Sequence, residues 1–453
     1  MVRADLAADA SALVTPEWLT AQRWYGANDR HLAGLQLTDA AALPMRRSAP
    51  SAWLLVVEAG FAMGSPVRYL VPAVRDGSEP FREPKDGDGI WQALAAAIAG
   101  GAVLTAESGS FRCEAAPALS DLVPGGAPSI GAMVEHRLGV EQSNTSVQLG
   151  EGLLLKLYRR LEAGENPELE VGAFLESVGC PVVPRIAGVI RYLAPGGAAA
   201  TAMLQERVDA RFDAWRQLAA MLAGEDGGPE GAIDAAREIG QVTAELHRGL
   251  AARPQDLAFP LRPATATEIN GWRNSALNQL DQARYALEGE NRETLDRLAG
   301  GIRNRIEGAF GAVGQARVMR VHGDYHLGQL LVAEDGYRVI DFEGEPARPL
   351  GERRAPQAPE RDVAGMLRSL DYAARTAEHG RHDPAFESEL WLATARRAFL
   401  AGYSDRAPVT PNRSLLVGLE IEKACYEVRY EAANRPDWIW LPLEALARMA
   451  PSR

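Results

Sequence analysis

Hydrophobic and polar positions divide the chain into a β-rich first part and a mainly helical second part. Thr15 followed by Pro16 is typical of a helix start. Alternating or continuous apolar runs predict strands within 52–61, 66–74, 134–138, 146–149, 153–158 and 202–208. After Arg211 the helical period dominates, interrupted by short apolar runs on either side of a turn at Asp335-Gly336. We therefore expect an α+β fold with a small β-rich lobe ahead of a larger helical lobe.

Composition changes this picture mainly by excluding partners. The 453 residues suffice for two or three domains, and 47% hydrophobic with 24% charged residues is ordinary for a globular protein. A net charge of −12 argues against nucleic acid and against an anionic membrane surface. The N-terminus has no apolar signal core, and the weakly polar stretch from Trp91 is short for a membrane span. We therefore expect a cytoplasmic protein. Its three cysteines are widely separated, so we expect neither a disulfide framework nor a zinc site.

The strongest chemical signal is the sequence HGDYHLGQ at 322–329, followed by DFEGEP from Asp341. In a kinase catalytic loop, an aspartate accepts the proton of the substrate hydroxyl and an amide five residues later binds Mg²⁺. Asp324 and Gln329 have that spacing, with glutamine in place of asparagine. Asp341 ends an apolar strand and precedes Phe342, as the metal-binding aspartate of a DFG segment does. Together, the two motifs indicate ATP-dependent phosphoryl transfer on a bilobal protein-kinase-like fold.

Lys156 is the candidate cation for the ATP phosphates. It ends the apolar run 153–155, much as the lysine of a kinase VAIK strand does. Glu170, on the helix that follows, is the preferred ion-pair partner, with Glu168 and Glu165 as alternatives. A lone lysine after three leucines is also typical of a strand end at the surface, so its function depends on this pairing.

Two further segments are candidates for contacts with the nucleotide. A small polar turn before Lys156 offers backbone amides and hydroxyls that would cover the phosphates, from Ser143, Asn144, Thr145 and Ser146. On composition alone, an ordinary hairpin turn is the better explanation of this segment. The second segment lies where the two lobes should join, and its backbone would meet adenine at Gln205, Glu206 and Val208. Neither a Walker-type phosphate loop nor a GxGxxG sequence occurs in the chain.

Several of these sequences resemble those of the bacterial maltokinases, which belong with the aminoglycoside phosphotransferase-like kinases. The shared segments are HGDYHLGQ, DFEGEP, RDVAGMLRS, EQSNTS, the C-terminal YEVRYEAANRPDW and the opening WLTAQRWYG. The resemblance implies an N-terminal cap domain at 1–110, a β-rich intermediate lobe at 111–208 and a helical C-lobe at 209–453. It also implies phosphorylation of maltose by ATP to maltose 1-phosphate for α-glucan (glycogen) synthesis, beside a trehalose synthase partner.

The resemblance also assigns roles to residues of this chain. It implies that Asp324 is the base, that Gln329 and Asp341 bind Mg²⁺, with Glu343 as a possible further ligand, and that Lys156 holds ATP. The sugar pocket is expected to use hydroxyl partners and aromatic platforms at His326, Lys423, Tyr426, Tyr430 and Trp438. These aromatic residues are also typical of a helix packed onto its lobe, an alternative that the sequence leaves open.

Other readings of the same sequences remain open. A kinase for glucosamine, an aminoglycoside or choline would share the catalytic loop. We expect a glucosamine kinase to differ at DFEGEP and in the C-terminal helix. A non-catalytic, kinase-like subunit of trehalose synthase is a further alternative, disfavoured because Lys156, Asp324, Gln329 and Asp341 are all present.

Overall fold

The computed structural model describes residues 4–28, 30–47, 49–139, 144–345, 348–380 and 387–450. The chain forms two compact units: residues up to Glu176 with Pro184–Asp209, and Ser177–Val183 with Ala210–Arg453. The first is β-rich and the second is mainly helical, which confirms the α+β interpretation. Among the described residues, none of the helices has both the length and the apolar composition that a membrane span requires.

The first unit contains two antiparallel sheets and several helices. Its strands are β1 Leu32–Leu43, β2 Ser51–Phe61, β3 Val67–Arg75, β4 Val103–Thr105, β5 Ser110–Ala115, β6 Glu135–Leu138, β7 Asn144–Leu149, β8 Leu153–Tyr158, β9 Arg160–Leu161, β10 Ile186–Ala194 and β11 Gly197–Glu206. Its helices are α1 Ala4–Leu13, α2 Pro16–Thr20, α3 Ile90–Ala99, α4 Leu119–Leu122, α5 Gly126–Ile130 and α6 Pro167–Ser177. Thr15 caps α2 by accepting a hydrogen bond from the Trp18 N–H, and β2 pairs with β3 as the predicted hairpin.

The predicted boundary at residue 110 does not separate two compact units. Strand β5 begins at Ser110 and pairs with β10, so the seven-stranded sheet β4-β5-β10-β11-β8-β7-β6 crosses that position. Strand β9 in turn pairs with β3 and completes the four-stranded sheet β1-β2-β3-β9. Helix α3 packs its apolar face, including Trp91 and Leu94, into the core of the larger sheet. Shared strands and one continuous core therefore join the predicted cap to the predicted intermediate lobe.

The main part of the second unit begins at Ala210, next to the predicted boundary. Its helices are α7 Ala214–Leu222, α8 Gly228–Leu250, α9 Ala266–Ala286, α10 Gly289–Gly311, α11 Leu350–Arg354, α12 Glu360–Gly380, α13 Ser388–Ser404, α14 Arg413–Asn434 and α15 Trp440–Met449. Its short strands are β12 Ala210–Asp213, β13 Arg262–Pro263, β14 Arg317–Val318, β15 Leu330–Ala333 and β16 Gly336–Val339. Helix α12 packs against both α13 and α14, and α8 packs along α13.

One hairpin brings the two predicted metal-binding segments together. Strands β15 and β16 pair antiparallel around the predicted turn, and Leu330 lies opposite Val339. The Ile340 N–H donates to the Gln329 carbonyl at 3.0 Å, which extends the pairing beyond the strands. Because antiparallel partners lie side by side, the residues that precede β15 and follow β16 meet at the same end of the hairpin.

Candidate active site

The catalytic-loop sequence is held in place by a buried aspartate on α12. The Asp362 carboxylate accepts from the His322 N–H at 2.8 Å and from the Gly323 N–H at 2.9 Å. His247 contacts the same carboxylate at 3.0 Å, and its other ring nitrogen lies 2.8 Å from the Tyr403 hydroxyl. Burial alone would raise the pKa of Asp362, but hydrogen bonding and charge interaction with His247 lower it. Sequence reasoning gave Asp362 no role, although it lies in the RDVAGMLRS segment.

Close backbone packing adds a second restraint on the loop. A Cβ on Gly365 would lie 2.4 Å from the Tyr325 carbonyl oxygen, so α12 approaches the loop at a distance that only glycine permits. The Tyr325 side chain is buried and its hydroxyl lies 3.0 Å from the Thr243 hydroxyl. Further along, the Leu327 N–H donates to the Ser369 hydroxyl at 3.1 Å. The loop is therefore fixed from both ends before it reaches Gln329.

Asp324 projects from this loop into an ion-pair cluster. Lys423 on α14 donates to Asp324 Oδ1 and to Glu345 Oε1, both at 3.1 Å. The side chains of Asp324 and Lys423 are 24% and 19% exposed, so solutes can reach the pair. Burial would lower the pKa of Lys423, but the two carboxylates outweigh burial and raise it. Burial would likewise raise the pKa of Glu345, yet Lys423 and Arg348 bring it to about 2.

The cluster continues as an alternation of charges. Arg348 Nε lies 2.6 Å from the Glu345 carboxylate, and its guanidinium is 3.6 Å from Glu422. Glu422 also pairs with Arg361 at 3.2 Å and accepts from the Ser275 hydroxyl at 2.7 Å. Buried carboxylates of this kind persist because each is paired and hydrogen-bonded. Sequence reasoning missed Glu345 and Glu422, since Lys423 lies 78 positions from Glu345 and Arg361 lies 61 positions from Glu422.

Gln329 and Asp341 meet at the end of the hairpin, as their sequence positions predict. The Gln329 amide nitrogen lies 3.4 Å from Asp341 Oδ2, and a carboxylate oxygen of Glu343 lies within 4.8 Å of one of Asp341. Asp341 has a φ of 67°, a left-handed conformation that is rare outside glycine and is often found at functional sites. An oxygen-only donor set of two carboxylates and an amide suits Mg²⁺. An amide binds a cation through its oxygen, so metal binding requires the opposite orientation of the Gln329 amide.

His326 lies within the loop and faces its own neighbours. Its Nδ1 accepts from the Gly328 N–H at 3.1 Å, and its Nε2 lies 3.4 Å from the Gln329 amide. Burial lowers the pKa of His326, which favours the neutral ring. Both ring nitrogens of His326 thus face groups of the loop, and its contact with substrate stays a prediction.

In the first unit, Lys156 forms a buried ion pair with Glu168 rather than with Glu170. Lys156 Nζ lies 2.9 Å from Glu168 Oε2, with side chains only 7% and 6% exposed. The Tyr158 hydroxyl donates to the same carboxylate at 2.8 Å. Residues two apart on a helix point about 200° from each other, so Glu170 cannot share the face of α6 that Glu168 presents to Lys156. The preferred partner was therefore wrong, and the alternative is the one observed.

The polar turn before Lys156 has its side chains on two faces of β7. Ser146 lies directly opposite Lys156 in the sheet, so both belong to the same face, together with Asn144. Thr145 points to the other face, where its hydroxyl accepts from the buried Arg159 at 2.8 Å, so its side chain is not available to phosphates. Ser146 Oγ is buried and has no hydrogen-bond partner within the described part of the chain. Ser143 lies outside the described residues.

The predicted adenine-contacting segment follows strand β11. Gln205 lies between Ile186 and Leu154 in the sheet, and the Glu206 N–H donates to the Arg185 carbonyl at 2.8 Å. Glu206 is thus engaged both by its backbone and by its carboxylate, which pairs with Arg185 at 3.1 Å. Over the ranges that the structure describes, the Val208 N–H has no acceptor. Val208 is therefore the donor of this segment that remains open to a ligand.

The aromatic residues of the predicted sugar pocket are arranged along and after α14. The rings of Tyr426 and Tyr430 stack with centroids 6.4 Å apart, and Lys423 Nζ lies 4.6 Å from the centre of the Tyr426 ring. Tyr426 is half-buried and Tyr430 is 41% exposed. Trp438 lies in a short 3₁₀ turn beyond the helix, where its ring is 4.9 Å from the Arg435 guanidinium. Tyr426 is the aromatic residue tied directly to the Asp324 cluster.

Comparison with known proteins places these features in a family. Residues 135–348 match the model of the phosphotransferase enzyme family, and residues 18–100 match that of the maltokinase N-terminal cap domain. A glucosamine kinase of Streptacidiphilus jiangxiensis is 32% identical over 403 residues, covering 85% of this chain and 86% of that protein. A glucosamine kinase of Mycolicibacterium smegmatis is 30% identical over 392 residues, covering 83% and 92%. A solved glucosamine kinase in complex with glucosamine, ADP and inorganic phosphate superposes with a TM-score of 0.71 at 27% identity, over 97% of this chain and all of the other.

Proposed function

Because this chain belongs to the phosphotransferase enzyme family and is an ATP-dependent sugar kinase, we propose that Asp324 is its catalytic base and that maltose is its acceptor. The observation that carries the proposal is the fixed loop: Asp362 holds the backbone before Asp324, and the hairpin places Gln329 beside Asp341. A base on so rigid a support reaches the acceptor hydroxyl without reorganisation.

In the proposed reaction, the Asp324 carboxylate accepts the proton of the anomeric hydroxyl. The hydroxyl oxygen forms a bond to the γ-phosphorus of ATP while the bond from that phosphorus to the bridging oxygen of ADP breaks. Lys156, held by Glu168, would bind phosphate oxygens. The Val208 N–H would donate to adenine. Positioning and charge neutralisation supply most of the rate, because the transition state is loose.

Magnesium fits the donor set at the end of the hairpin. Asp341, Gln329 and Glu343 would hold the ion. When bound, it neutralises charge on the transferring phosphoryl group.

Maltose is favoured by the cap-domain match and by the aromatic pair. The model matched by residues 18–100 is that of maltokinases. Tyr426 and Tyr430 form a stacked surface, and Lys423 links it to Asp324 because it pairs with Asp324 and lies over the Tyr426 ring. Sugar rings pack their apolar faces on such surfaces. The product would be maltose 1-phosphate. We further propose that this product serves α-glucan synthesis and that a separate trehalose synthase is a partner.

Glucosamine is the second candidate acceptor. The relatives of 30% and 32% identity carry that name, and the superposed kinase was solved with glucosamine bound. Incubation with MgATP and maltose, glucose, trehalose, glucosamine or kanamycin, following ADP release, separates the candidates. Maltose-dependent turnover that yields a non-reducing phosphosugar supports the proposal. Turnover with glucosamine alone would retain Asp324 as base and replace the acceptor.

A further inference from the structure

Lys423 occupies the space between two carboxylates at the candidate site. Its ammonium is 3.1 Å from Asp324 Oδ1 and 3.1 Å from Glu345 Oε1, and it lies over the ring of Tyr426. Carboxylates and aromatic faces are the groups that bind ammonium ions in proteins. Lys423, on α14, therefore occupies the position at which these two carboxylates and the Tyr426 ring would otherwise bind a cation.

The surrounding carboxylates are also balanced. Glu345 has a second cation in Arg348 at 2.6 Å, and Glu422 has Arg361 at 3.2 Å. Among the described residues of this cluster, each carboxylate therefore has a lysine or arginine partner. A cationic acceptor entering beside Asp324 would meet the Lys423 ammonium and find each of these carboxylates already paired. Two ammonium groups that both approach Asp324 closely repel each other strongly in a partly buried site.

We propose that Lys423 is a specificity-determining residue, a built-in counter-ion that makes the site accept neutral sugars and discriminate against amino sugars and aminoglycosides. The inference rests on the proposed function, since it requires that the acceptor hydroxyl reach Asp324. Discrimination against amino sugars would also distinguish this chain from the relatives, which are named glucosamine kinases.

Hydrogen-bonding capacity gives the discrimination a direction. A sugar hydroxyl both donates and accepts, so it can donate to the Glu345 carboxylate and accept from Lys423. An ammonium group only donates, so it has no favourable interaction with Lys423. N-acetylation of the amine removes the charge. We therefore expect Lys423 not to repel N-acetylglucosamine, so a site with room for the acetyl group should accept it as it accepts a neutral sugar.

The test measures a ratio, because Lys423 contacts the base and its replacement will alter turnover generally. The ratio is kcat/KM for glucosamine divided by kcat/KM for the best neutral sugar among maltose, glucose and N-acetylglucosamine. Lys423→Gln, which removes the charge and keeps a polar side chain, should raise this ratio about tenfold or more. Lys423→Arg, the matched control, keeps the charge and should leave the ratio near that of the unaltered protein. A ratio that does not change in Lys423→Gln would overturn the inference.

A second measurement uses the unaltered protein and does not depend on the folding of a variant. Raising the pH until the amine of glucosamine is neutral should increase its kcat/KM relative to maltose, while N-acetylglucosamine shows no such gain. A ratio independent of pH, or a preference for glucosamine at neutral pH, would refute the role of Lys423 and leave the sugar kinase intact. Absence of turnover with every sugar would instead refute the proposed function.

Discussion

Replacing Glu168 with glutamine tests whether Lys156 depends on the observed ion pair. The side chains of Lys156 and Glu168 are 7% and 6% exposed, so Glu168→Gln removes a carboxylate that pairs with a buried ammonium. Removing one partner of a buried pair costs roughly 3–5 kcal/mol. We expect a lower urea midpoint and a melting temperature lowered by about 10 °C. The KM for ATP should rise about tenfold, the equivalent of one charge-assisted hydrogen bond.

Glu170→Gln is the matched control. It makes the same chemical change on the same helix, α6, but on a different face of that helix. Its effect on the free energy of unfolding should be smaller than that of Glu168→Gln, because Lys156 keeps Glu168 as a partner. Urea unfolding followed by tryptophan fluorescence, together with ATP titration at saturating sugar, measures both quantities. Equal effects of the two variants, or a larger effect of Glu170→Gln, would refute the assignment of Glu168 as the partner of Lys156.

Three further predictions concern the second unit. Asp362→Asn should lower the free energy of unfolding by roughly 2 kcal/mol. The His322 and Gly323 N–H groups donate to different oxygens of the carboxylate, and an asparagine amide keeps only one oxygen. Its kcat should fall more than its KM for ATP rises, and an unchanged kcat would argue against the anchoring role. The pKa of Glu345 lies at about 2, below its ordinary value of 4.5, so its stabilisation is present above about pH 4.5 and is lost as the pH falls towards 2. Acid titration of thermal stability should therefore be less steep in Glu345→Gln over that range, and identical slopes would contradict the pairing. Tyr426→Ala should raise the KM for the sugar about tenfold, and Tyr430→Ala less, because Tyr430 is 41% exposed; the reverse order in sugar titrations would remove Tyr426 from the pocket.

Features that depend on neighbouring residues could be predicted from the sequence. Gln329 and Asp341 meet because a short hairpin joins them, and its turn and apolar strands are legible in the sequence. The hairpin of β2 and β3 and the cap of α2 by Thr15 follow from similarly local signals. In each case, the residues that decide the geometry lie within a few positions of one another.

Features that depend on contacts between distant parts of the chain could not be predicted from the sequence. Choosing Glu168 over Glu170 requires knowing which face of α6 lies against Lys156, and its weak amphipathic pattern does not reveal that face. The ion pair of Lys423 with Asp324 joins residues 99 positions apart, so no spacing rule predicts it. The pairing of β5 with β10 could not be predicted for the same reason, since β10 lies much later in the chain.

The central claim is that Asp324 is the base of a sugar kinase. The most direct measurement compares the unaltered protein with Asp324→Asn, using MgATP and maltose, for ADP release and for ATP binding by calorimetry. We predict that turnover falls below detection in the variant while the Kd for ATP changes less than about threefold. Near-normal turnover by Asp324→Asn would contradict the assignment of the base and the mechanism built on it.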